Sequence, residues 1–291
     1  MISGFDHAPI IVRDLEAAVA GYTAMLGRAP SWIGRHDGAR HAWFQLSNIA
    51  LELIQADGDG ATGDNIRLWL QNRDEGPSAI GFSTPAFDEA RRTLERRGVV
   101  VRPPEAMRSV DESGREHLLR FAMTDAVTTR GLQLFLVERE ASAAPWPVSP
   151  TIADEAAAIT AIDHVVVRTA NAEAAIALYG AKLGLDLRLD RSNPAWGSRL
   201  LFFRCGDAVV EIGAALNASV SDEPDRLGGF AWRAPDPEQA RTRMATAGLD
   251  VSELRKGRKP GTSVFTIRDA VGGPNLVISA TGAGDRGSSQ P

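Results

Sequence analysis

The chain has 291 residues, 44% of them hydrophobic and 24% charged, with a formal charge of -5 at pH 7. That is room for two domains whose cores need no staples, and an acidic balance without a basic block argues against nucleic acid as a partner. No run of about 18 apolar residues marks a membrane span. Met1 to Asp6 lacks the start of a secretory leader and the single cysteine, Cys205, excludes an intramolecular disulfide, so the expected compartment is the cytoplasm.

In chain order the sequence opens on a strand-like run, Phe5-Asp6-His7-Ala8-Pro9-Ile10-Ile11-Val12-Arg13. Leu15, Ala18, Val19, Tyr22 and Leu26 then recur at helical spacing, and Gly27 ends the stretch. Phe44-Gln45-Leu46-Ser47-Asn48-Ile49-Ala50-Leu51-Glu52 reads as two strand segments, with Asn48 where a tight hairpin turn would sit. The series then returns. Ile162-Asp163-His164-Val165-Val166-Val167-Arg168 repeats the opening, Tyr179 and Leu183-Gly184 repeat the helix, and Phe203 to Glu211 repeats the closing strands around a Gly206-Asp207 turn. The offset is 157 residues at the histidines and 159 at the glutamates, a two-residue insertion in the second copy. A second pair of segments repeats as well: Ala79-Ile80-Gly81-Phe82 with Gly229-Phe230-Ala231-Trp232, each leading to Asp-Ala-Val, at Asp125 and at Asp269.

The chain therefore reads as four modules in the order A, B, A′, B′, each a strand, a helix and three strands. The expected first domain is 1–140 and the second 159–281. Residues 141–158, with three prolines, read as the linker, and 282–291, rich in Gly and Ser, as a disordered tail.

These motifs resemble the vicinal oxygen chelate superfamily, the glyoxalase, bleomycin-resistance and extradiol-dioxygenase group. The carriers are the Asp-His openings at His7 and His164, the Leu-Gly after each first helix, and the closings at Glu52 and Glu211. The resemblance implies an α+β fold in which four βαβββ modules form two glyoxalase-like half-barrel domains around a divalent metal. Ligands come from the first and last strand of a module, which places His7, Glu52, His164 and Glu211 as metal ligands. Modules B and B′ depart from the pattern: the ligand positions fall near Ala79 and Gly229, and near Leu132-Gln133 and Leu276-Val277. A full His/Glu/His/Glu set then requires A to face A′, within one chain or across a homodimer.

Strand parity supports the pairing. His7 shares a face with Pro9 and Ile11, and Glu52 with Ala50 and Ile54, opposite the apolar set that packs under the helix. Imidazole and carboxylate suit Zn²⁺, Ni²⁺, Mn²⁺ or Fe²⁺. The leading expectation is a lyase or isomerase that moves a proton on a small vicinal-oxygen substrate, with the metal stabilising an enolate-type anion and Glu52 or Glu211 as the catalytic base. Two alternatives stand beside it: an Fe²⁺ or Mn²⁺ ring-cleaving dioxygenase of an aromatic diol, and a metal-free binding or resistance protein. The plainer reading of the histidine–glutamate pairs is a buried hydrogen bond kept from an ancestral site.

Arg168, on the face of His164, suits an anionic substrate group. Trp43, Trp196 and Trp232 are candidates for lining an apolar pocket, with Trp43 and Trp196 assigned to substrate binding. Tyr22, Tyr179 and Cys205 read as core. His36 and His41 are expected to be exposed in or beside a polar loop. His117 is the one further histidine that would complete a ligand set inside an A–B domain.

Overall fold

The computed structural model describes residues 1–138, 146–257 and 260–279. The 282–291 tail and residues 141–145 of the expected linker lie outside the described residues.

The first helix, Leu15–Leu26, has the bounds its periodicity predicts. Asp14 caps it by accepting from the Ala17 N–H at 2.9 Å, and Gly27, at φ 68, ends it in the left-handed conformation with its N–H on the Thr23 carbonyl. Leu15, Ala18, Tyr22, Met25 and Leu26 form its buried face. The repeat copies the device: Asn171 caps Ala172–Ile176, which continues as a π-helical stretch, Ala177–Lys182, and Gly184 sits at φ 76.

The strands bury one face under these helices. Ala8 and Ile10 in module A, and Val165 and Val167 in A′, are wholly buried, each large one worth about 1.5–3 kcal/mol of burial. The alternate residues turn to the concave side. The His7–Ile11 and Ala50–Ala56 strands run parallel, with Pro9 opposite Glu52, and Val166 stands opposite Glu211 in the matching pair of A′. Each closing glutamate therefore neighbours its opening histidine on one face.

The result is mixed α+β, with two strand-rich sheets curled into two glyoxalase-like domains. The two differ in closure. In the first, the A half runs Trp32–His36, Ala39–Gln45, Ala50–Ala56, His7–Ile11, and the B half Ala79–Ser83, Gln133–Glu138, Glu116–Met123, Glu105–Val110. Both seams are bonded: Arg35 pairs with Val110 at one, and the Asp6 N–H to Gly81 and the Ser78 N–H to Pro9 join the other. In the second the edge strands, Asp186–Asn193 and Arg255–Lys256, do not pair with each other among the described residues, and every residue from Asp186 to Ser192 is exposed.

Two elements that the sequence pattern does not announce add to the closure of the first barrel. Helix Ala61–Asn72 starts on the Asp37 carboxylate, which accepts from the Ala61 and Thr62 N–H groups, and sets Ile66 against Ile11, Ala39 and Ile54. The described part of the linker is docked: Ser149–Pro150 pairs with Arg28–Ala29, Arg28 holds Glu155 through both guanidinium nitrogens, and the Trp146 ring lies over Trp32, Trp43 and His117.

The two sheets meet through the hairpin turns. The Asn48 side chain donates to the Ile162 carbonyl and to Asp207 and accepts from the Ile162 N–H. Tyr22 and Tyr179 are core, as expected, and the Tyr22 hydroxyl crosses to the Val271 carbonyl of B′ at 2.8 Å. Cys205 is buried, and burial, with the Asp207 charge adding, pushes its thiol up to about 12. With so little thiolate at pH 8, a disulfide reagent is expected to label the native protein only as fast as it unfolds, and the urea-unfolded chain at once; immediate stoichiometric labelling of the native chain would contradict this placement.

Candidate metal centres

The same local device aims both histidines. Asp6 accepts from His7 Nδ1 at 2.7 Å, and Asp163 from His164 Nδ1 at 2.9 Å. A carboxylate is an acceptor, so in the neutral ring Nδ1 carries the proton and Nε2 presents its lone pair. That lone pair faces a second acceptor in each domain: His164 Nε2 lies 3.3 Å from Glu211 Oε2, and His7 Nε2 lies 3.8 Å from Glu52 Oε2. Two acceptors face to face need a cation or a proton between them. Metal-bound imidazoles are held in this way, with the far N–H on a carboxylate. The 3.3 Å separation suits two donors on one ion with bonds near 2.1 Å, and the 3.8 Å separation in the first domain is wider than such bonds give in a tetrahedral site.

The structure thus brings His7 to Glu52 and His164 to Glu211, each pair in its own sheet. Among the described residues no hydrogen bond or ion pair links one pair to the other.

Their surroundings differ. In the first barrel His7 and Glu52 are buried. Phe135 occupies the position in B that Glu52 holds in A, its ring 4.8 Å from the His7 ring, and Gly81 leaves room for it, since a Cβ there would lie 2.6 Å from that ring. Trp43 is wholly buried inside the barrel, with its ring 4.4 Å from that of His7. His41, expected in an exposed region, lies on the inner face of Ala39–Gln45 and is wholly buried, because it shares strand parity with Trp43 and stands beside Glu52. His36, at the end of Trp32–His36, is half-buried with its ring 4.7 Å from that of His41. His117 packs against Trp146 and stands opposite Ser109 in the sheet.

A chain of hydrogen bonds runs through this interior. The Trp32 indole donates to Ser109 Oγ at 2.9 Å, Ser109 Oγ meets His41 Nε2 at 2.7 Å, and His41 Nδ1 meets Glu52 at 2.6 Å. Gly34 makes the approach fit, since a Cβ there would stand 2.3 Å from Ser109 Oγ. Burial pushes the Glu52 carboxyl up, but the His41 hydrogen bond and charge, with His7 and His36 adding, hold it below the usual carboxylate range. The described residues contain one group of three metal-type side chains whose donor atoms all lie within 4.8 Å: His36, His41 and Glu52.

The second half-barrel is open. His164 is buried but Glu211 is partly exposed, and along the same face Val166 is half-buried and Arg168 exposed. Leu187, Leu189 and Trp196 are exposed large apolar residues on and just after the edge strand, with Arg191 over the Trp196 ring at 5.8 Å. Trp232 is wholly buried, with its indole on Asn275. In B′, Ala231 and Leu276 are paired where B has Gly81 and Phe135, so these two positions add no metal-type donor to His164 and Glu211. A cleft of about 370 Å³ between Arg28, Leu46, Glu155 and Thr160 includes no residue of either pair.

Residues 5–183 match the model of the Glyoxalase-like domain, and residues 161–273 that of the Glyoxalase/Bleomycin resistance protein/Dioxygenase superfamily. The chain belongs to this superfamily. Solved structures of similar fold include a mutant of 4-hydroxymandelate synthase from Streptomyces coelicolor (TM-score 0.71, 13% identity, 99% of this chain and 94% of that one). A Mn(II)-bound glyoxalase from Novosphingobium aromaticivorans aligns with TM-score 0.65 and 14% identity over 96% of this chain and 82% of that one. A 2,3-dioxygenase from Pseudomonas sp. KL28 aligns with TM-score 0.61 and 15% identity over 96% and 94%. At these identities the likeness is one of fold. No curated protein matches the sequence, and no helix among the described residues is long and apolar enough to cross a membrane.

The buried chain makes a stability prediction. Ser109→Ala removes the hydrogen-bond partner of His41 Nε2 and the acceptor of the Trp32 indole, leaving both unpaired, and is expected to cost about 1–3 kcal/mol or more in urea denaturation. An unchanged midpoint would mean that the chain does not hold the barrel.

Proposed function

We propose that the protein is a divalent-metal-dependent enzyme that acts in its second half-barrel on a small substrate bearing two neighbouring oxygens, by proton transfer of the enolate type, as a lyase or isomerase. The observation that carries this reading is the Asp163–His164–Glu211 arrangement on an open concave face. The imidazole is oriented by one carboxylate, and its free lone pair meets a second carboxylate that is within reach of solvent.

His164 Nε2 and Glu211 fit Zn²⁺, Ni²⁺, Mn²⁺ or Fe²⁺ by donor type, and two donors leave coordination positions for the two oxygens of the substrate. A bound ion would supply Lewis-acid stabilisation of the oxyanion that forms when the substrate loses a proton. The protein's own parts in the step are few. Glu211 accepts the proton from the carbon beside the carbonyl and returns it to the neighbouring atom. Arg168, two strand positions beyond Val166 on the same face, holds an anionic group of the substrate, and Trp196 forms an apolar rim. Glu52 and Trp43 are closed off from this face, so the base is Glu211 alone.

The test is exchange of a substrate C–H for solvent deuterium, followed by NMR with an α-hydroxyketone probe and added Mn²⁺ or Zn²⁺. Glu211→Gln is expected to slow exchange by about 10²–10⁴-fold while the fold, read by circular dichroism, is unchanged. Exchange that survives in Glu211→Gln would remove the base from this residue. Oxygen uptake with a catechol and Fe²⁺, without C–H exchange, would replace the reading by a ring-cleaving dioxygenase.

A further inference from the structure

The first barrel holds a set of side chains that the proposed reaction does not use. Two of them, His36 and His41, lie on the two strands of one hairpin, Trp32–His36 and Ala39–Gln45, and not on the opening strand that carries His7. Their repeat partners have no imidazole. At the offset that matches Glu52 to Glu211, and with Asn193 paired to Ser198 as His36 is to Ala39, the second domain places Asn193 and Leu200 there. The cluster is therefore an addition to the first domain and no part of what the two domains share.

Four observations converge on it. His36, His41 and Glu52 offer donor atoms all within 4.8 Å of one another. His36 Nε2 is buried and has no hydrogen-bond partner, which is costly for a polar atom out of water. Glu52 is a carboxylate in a closed interior whose polar partners are imidazoles, His41 at 2.6 Å and His7 at 3.8 Å. The interior is also over-subscribed at one atom, for both Glu52 and the Trp43 indole N–H approach His41 Nδ1. One in-plane nitrogen cannot donate to the first and accept from the second.

We infer that the first barrel is a second and separate metal site, in which His36, His41 and Glu52 bind one divalent transition ion. Two imidazoles and one carboxylate suit Zn²⁺, Fe²⁺, Mn²⁺ or Co²⁺. The cation gives His36 Nε2 a partner and meets the Glu52 charge. It also ties the hairpin to the closing strand in a dry interior. With Trp43, Phe135 and Ser109 filling the space around these residues, the ion holds the barrel together and takes no substrate. Entry is by way of His36, the half-buried member.

The experiment is titration of chelator-stripped full-length protein with Co²⁺, followed by the visible ligand-field band and by elemental analysis after gel filtration. The variants are His36→Ala, His7→Ala and the double variant His164→Ala/Glu211→Gln, each checked for fold by circular dichroism. The double variant is expected to retain about one ion per chain, and His36→Ala less than about a tenth under the same conditions, because a lost ligand removes most of the affinity. His36→Gln, which preserves bulk, is expected to behave as His36→Ala. Co²⁺ bound equally by wild type and His36→Ala overturns the site, as does binding lost in His7→Ala with His36→Ala unaffected. Binding lost only in the double variant also overturns it, and leaves the proposed reaction in the second half-barrel standing.

Discussion

The hydrogen bond from an aspartate to the Nδ1 of the next residue, a histidine, is the interaction on which the sites of both domains depend. It occurs twice, at Asp6–His7 and Asp163–His164. It fixes the ring and its tautomer, and so commits Nε2 to the concave side. Neighbouring residues on a strand point to opposite faces, so the aspartate reaches the ring around the edge of the strand. In A′ the aspartate is itself held: the Arg233 guanidinium donates to Asp163 at 2.9 Å. Burial works against the Asp163 charge, but the hydrogen bonds from His164 and Arg233 outweigh it and hold the carboxyl at about 2. A glutamate from the parallel last strand then completes the pair.

What the two domains do with this pair follows from closure. The first barrel is bonded at both seams, with helix Ala61–Asn72 and Trp146 packed against it, and Phe135 filling the place of a second glutamate. Polar groups shut in such an interior must find partners. The Trp32–Ser109–His41–Glu52 chain supplies them, apart from the nitrogen of His36 that has none. The second sheet has no counterpart to the added helix among the described residues, and its edges stay apart. There the same pair remains within reach of small molecules, with Arg168 beside it. One repeated plan has thus given a closed interior in the first domain and an open concave face in the second.

Much of this is legible in the sequence. The repeat locates the four modules, the first helix to the residue, and both histidine–glutamate pairs, because strand parity and helical spacing are local properties. The family resemblance gives the half-barrels. What escapes depends on contacts between distant segments. Helix Ala61–Asn72 follows a Gly/Asp-rich stretch, Asp57 to Gly60, that reads as loop, and its cap is the carboxylate of Asp37, on another turn. Trp43 fits a pocket as well as a core by its sequence, and its place against the His7 ring comes from the packing of distant strands. His36 and His41 resemble loop residues amid glycine and charge. A signal is present all the same: His41 alternates with Trp43 on one strand face, and the second copy replaces it with Leu200, so the first copy carries a polar residue at a buried position. Which sheet each pair joins is a matter of tertiary pairing, and motif spacing does not carry it.

On the proposed reading, His164 Nε2 and Glu211 hold one divalent ion together. A long-range ¹H–¹⁵N correlation spectrum of histidine-labelled protein at pH 7, recorded before and after adding Zn²⁺, reads this directly. The predicted result is a His164 Nε2 resonance that moves on adding the ion in the wild type and stays in place in Glu211→Gln. A His164 Nε2 resonance that Zn²⁺ leaves unmoved in the wild type would contradict the metal-ligand role.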